Sequence, residues 1–189
     1  MQLINNKRSK AGDFITEHIM DAAHLSVISA FFSIYAFEML EAKLPFIKQL
    51  RLFFSAPIAL QDNLALIGDV DERKLRNRLT QQFVARQCKE WLAANSEIRQ
   101  ATAKNIIQQN IFCTETAALQ GSADLTAAGL GFVASMRHDL CTAFEEPENI
   151  QELAEWFEAV WGDSRYNPEA GGLRRKVRAD DLKEVTICR

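Results

Sequence analysis

Residues 119–131 read Leu119-Gln120-Gly121-Ser122-Ala123-Asp124-Leu125-Thr126-Ala127-Ala128-Gly129-Leu130-Gly131. An apolar segment runs into a turn that carries a hydroxyl group (Ser122) and a carboxylate (Asp124). One interpretation is a strand-to-helix turn, in which Ser122 and Asp124 cap the backbone of the following segment. The other is a residual anion site, formed by Ser122 and nearby backbone N–H groups.

The segment before this loop is apolar but carries no basic residue. Positions 106–113 read IIQQNIFC, with Gln108 and Asn110 near the middle. Together with 117–119, this segment predicts the two strands of a hairpin that turns near Thr114 and Glu115.

The first 55 residues alternate between helix and strand. Apolar spacing predicts a helix over 12–23, with Met20 among its inward-facing residues. The apolar run 25–32 predicts a buried strand. Ser33 is suited to cap a helix over 34–43 that Pro45 ends, and 49–55 predicts a second strand. Strand, helix, strand is typical of a partly parallel sheet.

A long helix is predicted over 72–94, with an apolar stripe that includes Leu75, Leu79 and Phe83. Two acids within this helix, Glu72 and Glu90, offset its cations. The cations are either a solvated face or a surface that follows a phosphate backbone. These candidate nucleic-acid-binding residues are Arg73, Lys74, Arg76, Arg78, Arg86 and Lys89.

The remainder predicts a strand over 140–144 and a final helix over 150–161, with Trp156 and Phe157 inward. We expect residues 1–162 to form one domain and 163–189 to form a tail, a linker or a partner-binding arm that contains a basic run, 174–178.

Composition fits a cytoplasmic globular protein. The chain has 189 residues and a formal net charge of -3, so any binding of nucleic acid needs a local basic patch. The longest apolar stretch, 25–40, is interrupted by polar residues and is too short to span a membrane. Four scattered cysteines favour reduced thiols over a metal site. We expect no metal, no cofactor and no membrane association.

The glycine-serine loop resembles the second half of the phospholipase D (HKD) signature, which reads Gly-Ser-x-Asn-Leu-Thr-x-x-Gly-Leu. Segments 29–37, 50–55, 75–80 and 153–161 resemble phospholipase-D-like domains that accompany helicases in bacterial restriction and phage-defence loci. Similar stand-alone proteins occur in DNA-modification clusters. The resemblance implies an α/β/α sandwich around a mixed β-sheet. Because the chain carries a single motif copy, it also implies a homodimer.

Carried over to this chain, the signature lacks its reactive groups. The family attacks phosphorus with a histidine and holds the phosphate oxygens with lysine, serine and asparagine. Gln108 stands within a residue of the histidine position, and Asn110 stands at the lysine position. Gly121 and Ser122 match the family, whereas Asp124 replaces the usual asparagine. Asp139 stands near an acidic residue that follows the loop in many members. We therefore expect the charge of the pocket to have shifted from positive to negative.

The chain has three histidines, His18, His24 and His138. His138, which follows the loop and precedes Asp139, is the one weak catalytic candidate. A nearby carboxylate would favour its charged form, which suits an acid better than a nucleophile.

The sequence predicts a non-catalytic, nuclease-like subunit of a bacterial DNA restriction or DNA-modification system, which binds DNA or a helicase or nuclease partner. One alternative is an active phosphodiesterase, acting as a dimer or with a site completed by a partner chain. Another is a protein scaffold without nucleic-acid contact.

Overall fold

The computed structural model describes residues 1–55, 78–101 and 107–163, and for residues 78–81 the backbone alone. The helices are α1 (Ala11–Glu17), α2 (Ile34–Met39), α3 (Arg78–Asn95) and α4 (Pro147–Gly162), and a 3₁₀ helix spans Glu41–Phe46. The strands are β1 (Gln2–Ile4), β2 (Ala23–Ser29), β3 (Ile47–Phe54), β4 (Ser96–Gln100), β5 (Asn110–Cys113), β6 (Ala118–Gly121) and β7 (Cys141–Phe144).

These strands form one mixed sheet in the order β1-β7-β6-β5-β2-β3-β4. β2, β3 and β4 are parallel neighbours, with Leu25 opposite Leu50 and Leu52 opposite Ile98. The other pairings are antiparallel. The mixed sheet predicted from the βαβ pattern and the hairpin is therefore confirmed.

Helices cover both faces of the sheet. One face buries Val27 and Leu52 in a cluster that also takes in Phe14 of α1, Phe37 of α2 and Leu92 of α3. The other face buries residues such as Ile28 and Phe53 against α4. Because successive strand residues point to opposite faces, neighbours such as Val27 and Ile28 enter different cores. The architecture is an α/β/α sandwich, as predicted.

The start of α2 agrees with its sequence signal. Ser33 is the N-cap, and its hydroxyl oxygen accepts a hydrogen bond from the Ala36 N–H at 3.2 Å. The end differs, because α2 stops at Met39 and the chain continues as the 3₁₀ helix, which contains Pro45. The tighter 3₁₀ turn tolerates a proline that an α-helix interior would not.

The helix predicted over 12–23 is too long. α1 ends at Glu17, Met20 is 60% exposed rather than inward, and Ala23 already begins β2. Between helix and strand, Ala22 adopts a left-handed backbone conformation with φ of 59°. The chain reverses here so that β2 can pair with β3 and β5, and this long-range pairing overrides the local helical periodicity.

Two aromatic residues predicted to face inward lie outward. Phe83 of α3 is 63% exposed, because the buried stripe of that helix runs through Val84, Cys88 and Leu92. Trp156 of α4 is 39% exposed, while its neighbour Phe157 is 1% exposed. Adjacent helical residues differ by about 100° in direction, so a stripe misplaced by one residue turns a side chain to solvent.

Two short strands have no clear signal in the sequence. β1 and β4 are the outermost strands of the sheet, and each has one neighbour. Most of their residues are exposed or half-buried, so they lack the apolar pattern of the central strands. Backbone pairing with β7 and β3 defines them instead.

The strand directions bring chemically different segments to one edge of the sheet. The carboxyl ends of β2, β3, β4 and β6 meet the amino ends of β5 and β7 there. We call it the carboxyl edge, and it carries the glycine-serine loop. Nowhere in the described ranges does a helix combine the length and apolarity that a membrane crossing requires.

Candidate functional site

Buried polar side chains concentrate at the carboxyl edge. Seven of them occur just before, at or just after the strand ends that meet there. These residues are Ser29, Ser33, Ser55, Asn110, Asp124, Thr126 and Asp139. Since buried polar groups require hydrogen-bond partners, this edge is a hydrogen-bonded site and not an ordinary part of the core.

Asn110 begins β5 and bridges two segments. Its side-chain oxygen accepts a hydrogen bond from the Ala30 N–H at 2.9 Å, and its amide nitrogen donates to the Ser122 carbonyl at 3.0 Å. It lies opposite Gly121 in the β5–β6 ladder and is 7% exposed. The residue predicted at the lysine position therefore lies in the site. The oxygen and the nitrogen of its side-chain amide together connect the end of β2 to the glycine-serine loop.

Ser122 connects the glycine-serine loop to the segment before β7. Its hydroxyl donates to Asp139 Oδ1 at 3.1 Å and accepts from the Leu140 N–H at 2.9 Å. Its backbone N–H also donates to the Leu140 carbonyl at 3.2 Å. A side chain on Gly121 would meet the Leu140 carbonyl oxygen 2.4 Å from its Cβ. Glycine is thus required for the close approach of these two segments.

Asp124 and Asp139 share one cation, Arg137. The guanidinium donates to Asp124 Oδ2 at 2.8 Å and to Asp139 Oδ1 at 3.1 Å. The Asp124 side chain is 3% exposed and that of Asp139 is 6% exposed, whereas that of Arg137 is 32% exposed. Asp124 Oδ1 also accepts from the Thr126 hydroxyl at 2.6 Å. We call Arg137, Asp124 and Asp139 the arginine bridge.

Burial governs the electrostatics of this bridge. Loss of hydration raises the pKa of Asp124 above its ordinary value, and the nearby Arg137 charge opposes the rise. Burial alone would lower the pKa of Arg137, but the charges of the two aspartates and their hydrogen bonds outweigh it and raise that pKa. The guanidinium is therefore fixed in its charged form.

Arg137 adds a cation to the pocket for which the sequence analysis expected a negative charge. Asp124 does not present a free carboxylate to an incoming phosphate, because one oxygen binds Arg137 and the other binds Thr126. The arginine bridge contains two carboxylates and one guanidinium, so its formal net charge is about one negative unit. Sequence reasoning missed Arg137. Its position two residues before Asp139 was the available signal, since residues i and i+2 of an extended segment point the same way.

The structure does not contain the expected strand-to-helix turn. After Asp124 the chain forms successive turns rather than a helix. The Thr126 hydroxyl accepts from the Gly129 N–H at 2.9 Å, and the Ser122 hydroxyl bonds Asp139 and Leu140 instead of the segment that follows it. A Cβ at Gly129 would lie 2.1 Å from Asp124 Oδ1, so this turn closes tightly over the carboxylate.

The turn between β2 and α2 anchors the loop from the other side. The Ser29 hydroxyl donates to the Phe31 carbonyl at 2.6 Å and accepts from the Leu125 N–H at 2.8 Å. The Ser33 N–H donates to the Leu125 carbonyl at 3.0 Å. The backbone N–H and C=O of Leu125 are therefore both bound by the turn between β2 and α2. These bonds hold the glycine-serine loop against segment 29–37.

The predicted residues are brought together in part. Asn110, Gly121, Ser122, Asp124 and Asp139 form one network, as described above. Gln108 is exposed and contributes no hydrogen bond to that network.

The histidines are poorly placed for the expected chemistry. His138 is exposed beside Asp139, whose carboxylate already binds Ser122 and Arg137. His18 follows α1 and pairs with Glu145 at 3.0 Å, and His24 pairs with Glu115 at 3.0 Å. Both pairs lie at the edge of the sheet opposite the carboxyl edge.

The predicted nucleic-acid surface is described in part. Arg86 of α3 is exposed and Lys89 is half-buried. The structure describes the backbone of Arg78, whereas Arg73, Lys74 and Arg76 lie outside the described residues, as does the segment 164–189. Whether these cations line one groove stays a prediction.

Comparison with known proteins supports the fold. No protein-family model matches the sequence, and no curated protein matches it. Among solved structures, Nuc from Salmonella typhimurium, a phospholipase D family member, matches with a TM-score of 0.51 and 12% identity over 85% of this chain and 92% of its own. NucT from Helicobacter pylori matches with a TM-score of 0.51 and 12% identity over 85% and 94%.

A larger protein contains a similar unit. Polyphosphate kinase from Porphyromonas gingivalis matches with a TM-score of 0.54 and 12% identity over 98% of this chain and 28% of its own. At these identities the likeness concerns the fold and not the activity. The mixed sheet, its helical layers and these neighbours together show that the chain has a fold of the phospholipase D type.

Proposed function

We propose that this protein is a non-catalytic, nuclease-like subunit that has kept the phospholipase D scaffold without its reactive groups. The observation that carries the proposal is the use of Asn110, Asp124 and Asp139 in internal hydrogen bonds at the carboxyl edge. Asn110 joins Ala30 to Ser122, and the arginine bridge occupies Asp124 and Asp139.

Phosphodiester cleavage of the family's kind needs a nucleophilic histidine, and the chain offers three. His18 and His24 lie at the opposite edge, and His138 is exposed on the segment before β7. Charge developing on the phosphate oxygens also needs donors or cations that are free to bind it. Arg137, the guanidinium found at this site, is held between two carboxylates.

A hydrolysis assay tests the loss of chemistry. We expect no cleavage of DNA, RNA or a simple phosphodiester ester by the purified chain, with or without a chelator. The matched variants are His138→Ala and, as a control at the opposite edge, His24→Ala. Metal-independent cleavage that copurifies with the protein and disappears in H138A but not in H24A would refute the proposal and establish the active phosphodiesterase.

The role we propose for the scaffold is binding within a bacterial DNA restriction or DNA-modification system, with DNA or a helicase or nuclease as partner. The sequence resemblance and the cations of the 72–94 region support it. If about four phosphates are neutralised, the affinity for duplex DNA should fall on the order of a hundredfold between ~50 and ~200 mM salt.

Charge reversal tests the DNA contact. We expect the triple variant Arg76→Glu, Arg78→Glu and Arg86→Glu to lose low-salt retention of DNA while keeping the wild-type circular dichroism spectrum. The matched control reverses Lys48, an exposed residue of β3. If the wild-type protein is not retained, or if the triple variant is retained equally, the scaffold interpretation without nucleic acid is the better one.

We also propose a homodimer that pairs the two glycine-serine loops across a two-fold axis, since the chain carries one copy of the motif. A stable interface of this kind should bury on the order of 1,200 Å² or more. Light scattering at tens of micromolar should give twice the chain mass. A monomer at that concentration contradicts the proposal.

A further inference from the structure

A cleft lies on the α4 face of the sheet, away from the network of the carboxyl edge. Its volume is about 320 Å³, and it is bounded by β5, β6, β7 and the first half of α4. The lining residues are Gln109, Ile111, Gln120, Phe144, Asn149, Glu152, Leu153 and Trp156.

The cleft combines an apolar floor with a rim of polar side chains. Ile111, Phe144, Leu153 and the half-exposed Trp156 supply apolar and aromatic surface. The rim carries three side-chain amides and one carboxylate, and within the described residues none of these four groups has a side-chain hydrogen-bond partner. Such amphipathic surface is typical of a binding site for a segment with both apolar and polar side chains.

The charge next to the cleft has one sign. α4 contains four glutamates, Glu148, Glu152, Glu155 and Glu158, and no lysine or arginine. Glu158 pairs with Arg51 at 2.5 Å, on the turn nearer the end of the helix. The glutamates beside the cleft therefore repel phosphate and attract a cationic segment that can also stack on Trp156.

The chain itself contains a segment of matching chemistry. Residues 173–178 read LRRKVR, which places four cations between or beside two apolar residues, Leu173 and Val177. This run lies outside the described residues. Residues 73–78 also carry four cations, but Arg78 belongs to α3, which packs on the opposite face of the sheet from the cleft.

The length of chain permits this segment to reach the cleft. α4 ends at Gly162, and the cleft lies beside residues 149–156 of the same helix. At ~1.5 Å per helical residue, the cleft lies about 9–20 Å back along the axis. From Asp163 to Arg174 an extended chain spans up to about 36 Å, which exceeds that distance.

We propose that the cleft between β5–β7 and α4 is the docking site of this chain's own basic segment, 173–178. The apolar side chains of the segment contact Leu153 and Trp156, and its cations face the glutamates of α4. Docked in this way, the cations are withheld from phosphate. The inference is independent of the missing catalytic groups.

Disulfide trapping in the full chain tests the docking. The variant Gln109→Cys, Ala179→Cys, Cys188→Ser places one thiol at the mouth of the cleft and one beside the basic segment. The matched control replaces Gln109→Cys with Glu17→Cys, an exposed position on α1 across the sheet. A disulfide requires Cα atoms within about 7 Å, so its rate of formation reports proximity.

We expect the cleft pair to form a disulfide within one chain at least about tenfold faster than the control pair, at a rate that falls as salt rises. Reversing Arg174, Arg175 and Lys176 to glutamate should slow it about tenfold, and adding Glu152→Arg and Glu155→Arg should restore it. Equal rates for the two pairs, or indifference to charge reversal, overturn the proposal. Disulfides between chains assign the cleft to a second copy and also overturn it.

A spectroscopic measurement avoids the engineered cysteines. The indole N–H resonance of Trp156, assigned with Trp156→Phe, should shift when Arg174, Arg175 and Lys176 are reversed to glutamate. The resonance of Trp91, which packs on Phe37 across the sheet, should stay in place. An unmoved Trp156 resonance overturns the proposal even if the trapping variants fail to fold.

Discussion

Replacing Arg137 by methionine tests whether the arginine bridge stabilises the carboxyl edge. The substitution keeps a long side chain but removes the charge that pairs with Asp124, whose side chain is 3% exposed. Removing one partner of a buried ion pair costs about 3–5 kcal/mol, because it leaves an uncompensated buried charge. Since the Arg137 side chain is 32% exposed, we expect the lower end, about 3 kcal/mol at pH 7.

The cost should depend on pH with a definite sign. Burial already raises the pKa of Asp124 above its ordinary 3.8, and removal of Arg137 takes away the charge that opposes this rise. A carboxyl group with a raised folded pKa favours folding while protonated, and this contribution is lost as pH rises through the folded pKa. The destabilisation by R137M should therefore be small near pH 4 and grow as pH rises above it.

The assay is urea unfolding followed by circular dichroism at several pH values, with the melting temperature as a second readout. A loss of about 3 kcal/mol should lower Tm by about 6–12 °C in a chain of this size. Arg86→Met, at an exposed position on α3, is the matched control and should stay within about 0.5 kcal/mol of wild type.

A second substitution isolates the buried charge. In the double variant Arg137→Met, Asp124→Asn the carboxylate is gone, so the double variant should be about 1 kcal/mol more stable than R137M and should lose most of the pH dependence. The reasoning is refuted if R137M unfolds within about 0.5 kcal/mol of wild type at pH 7, or if its cost is the same from pH 4 to pH 8.

Three further outcomes follow from local geometry and burial. Ala22→Gly should stabilise the protein by about 0.5 kcal/mol in urea unfolding, because the relieved left-handed strain of alanine exceeds the extra entropy of unfolded glycine; a loss of stability contradicts this. Gly129→Ala should cost about 2–3 kcal/mol, since its Cβ would lie 2.1 Å from Asp124 Oδ1, and a neutral result would show that the turn relaxes freely. Burial raises the pKa of Cys88 and Cys113 to about 12, so iodoacetamide at pH 8 should label both in urea and neither in the native protein, as read by mass spectrometry.

Several features of the molecule were predictable because their signals are local. The apolar, β-branched run 25–32 indicated a central strand, and Ser33 indicated a helix start through its hydroxyl cap. Gly121 and Ser122 indicated the close turn at the end of β6, and the resemblance of their surroundings indicated the mixed sheet and its layers. Such signals depend on residues a few positions apart, so a single sequence displays them.

The edges of the sheet and the ends of α1 were not predictable in this way. β1 and β4 are strands because their backbones pair with β7 and β3, and their own residues carry little apolar alternation. α1 stops at Glu17 although its apolar spacing continues, because Ala23 must enter the sheet beside Ile47. Pairing partners that lie far along the chain decide these boundaries.

The candidate site likewise has features that the sequence shows and features that only the folded chain shows. The sequence alone shows that no basic residue occurs in 106–113, the segment before the loop. The tertiary structure decided what the remaining polar residues do: Asn110 ties Ala30 to Ser122, and Arg137 holds Asp124 and Asp139 together. A buried carboxylate needs a partner, but which cation supplies it depends on how the loop folds back on the sheet.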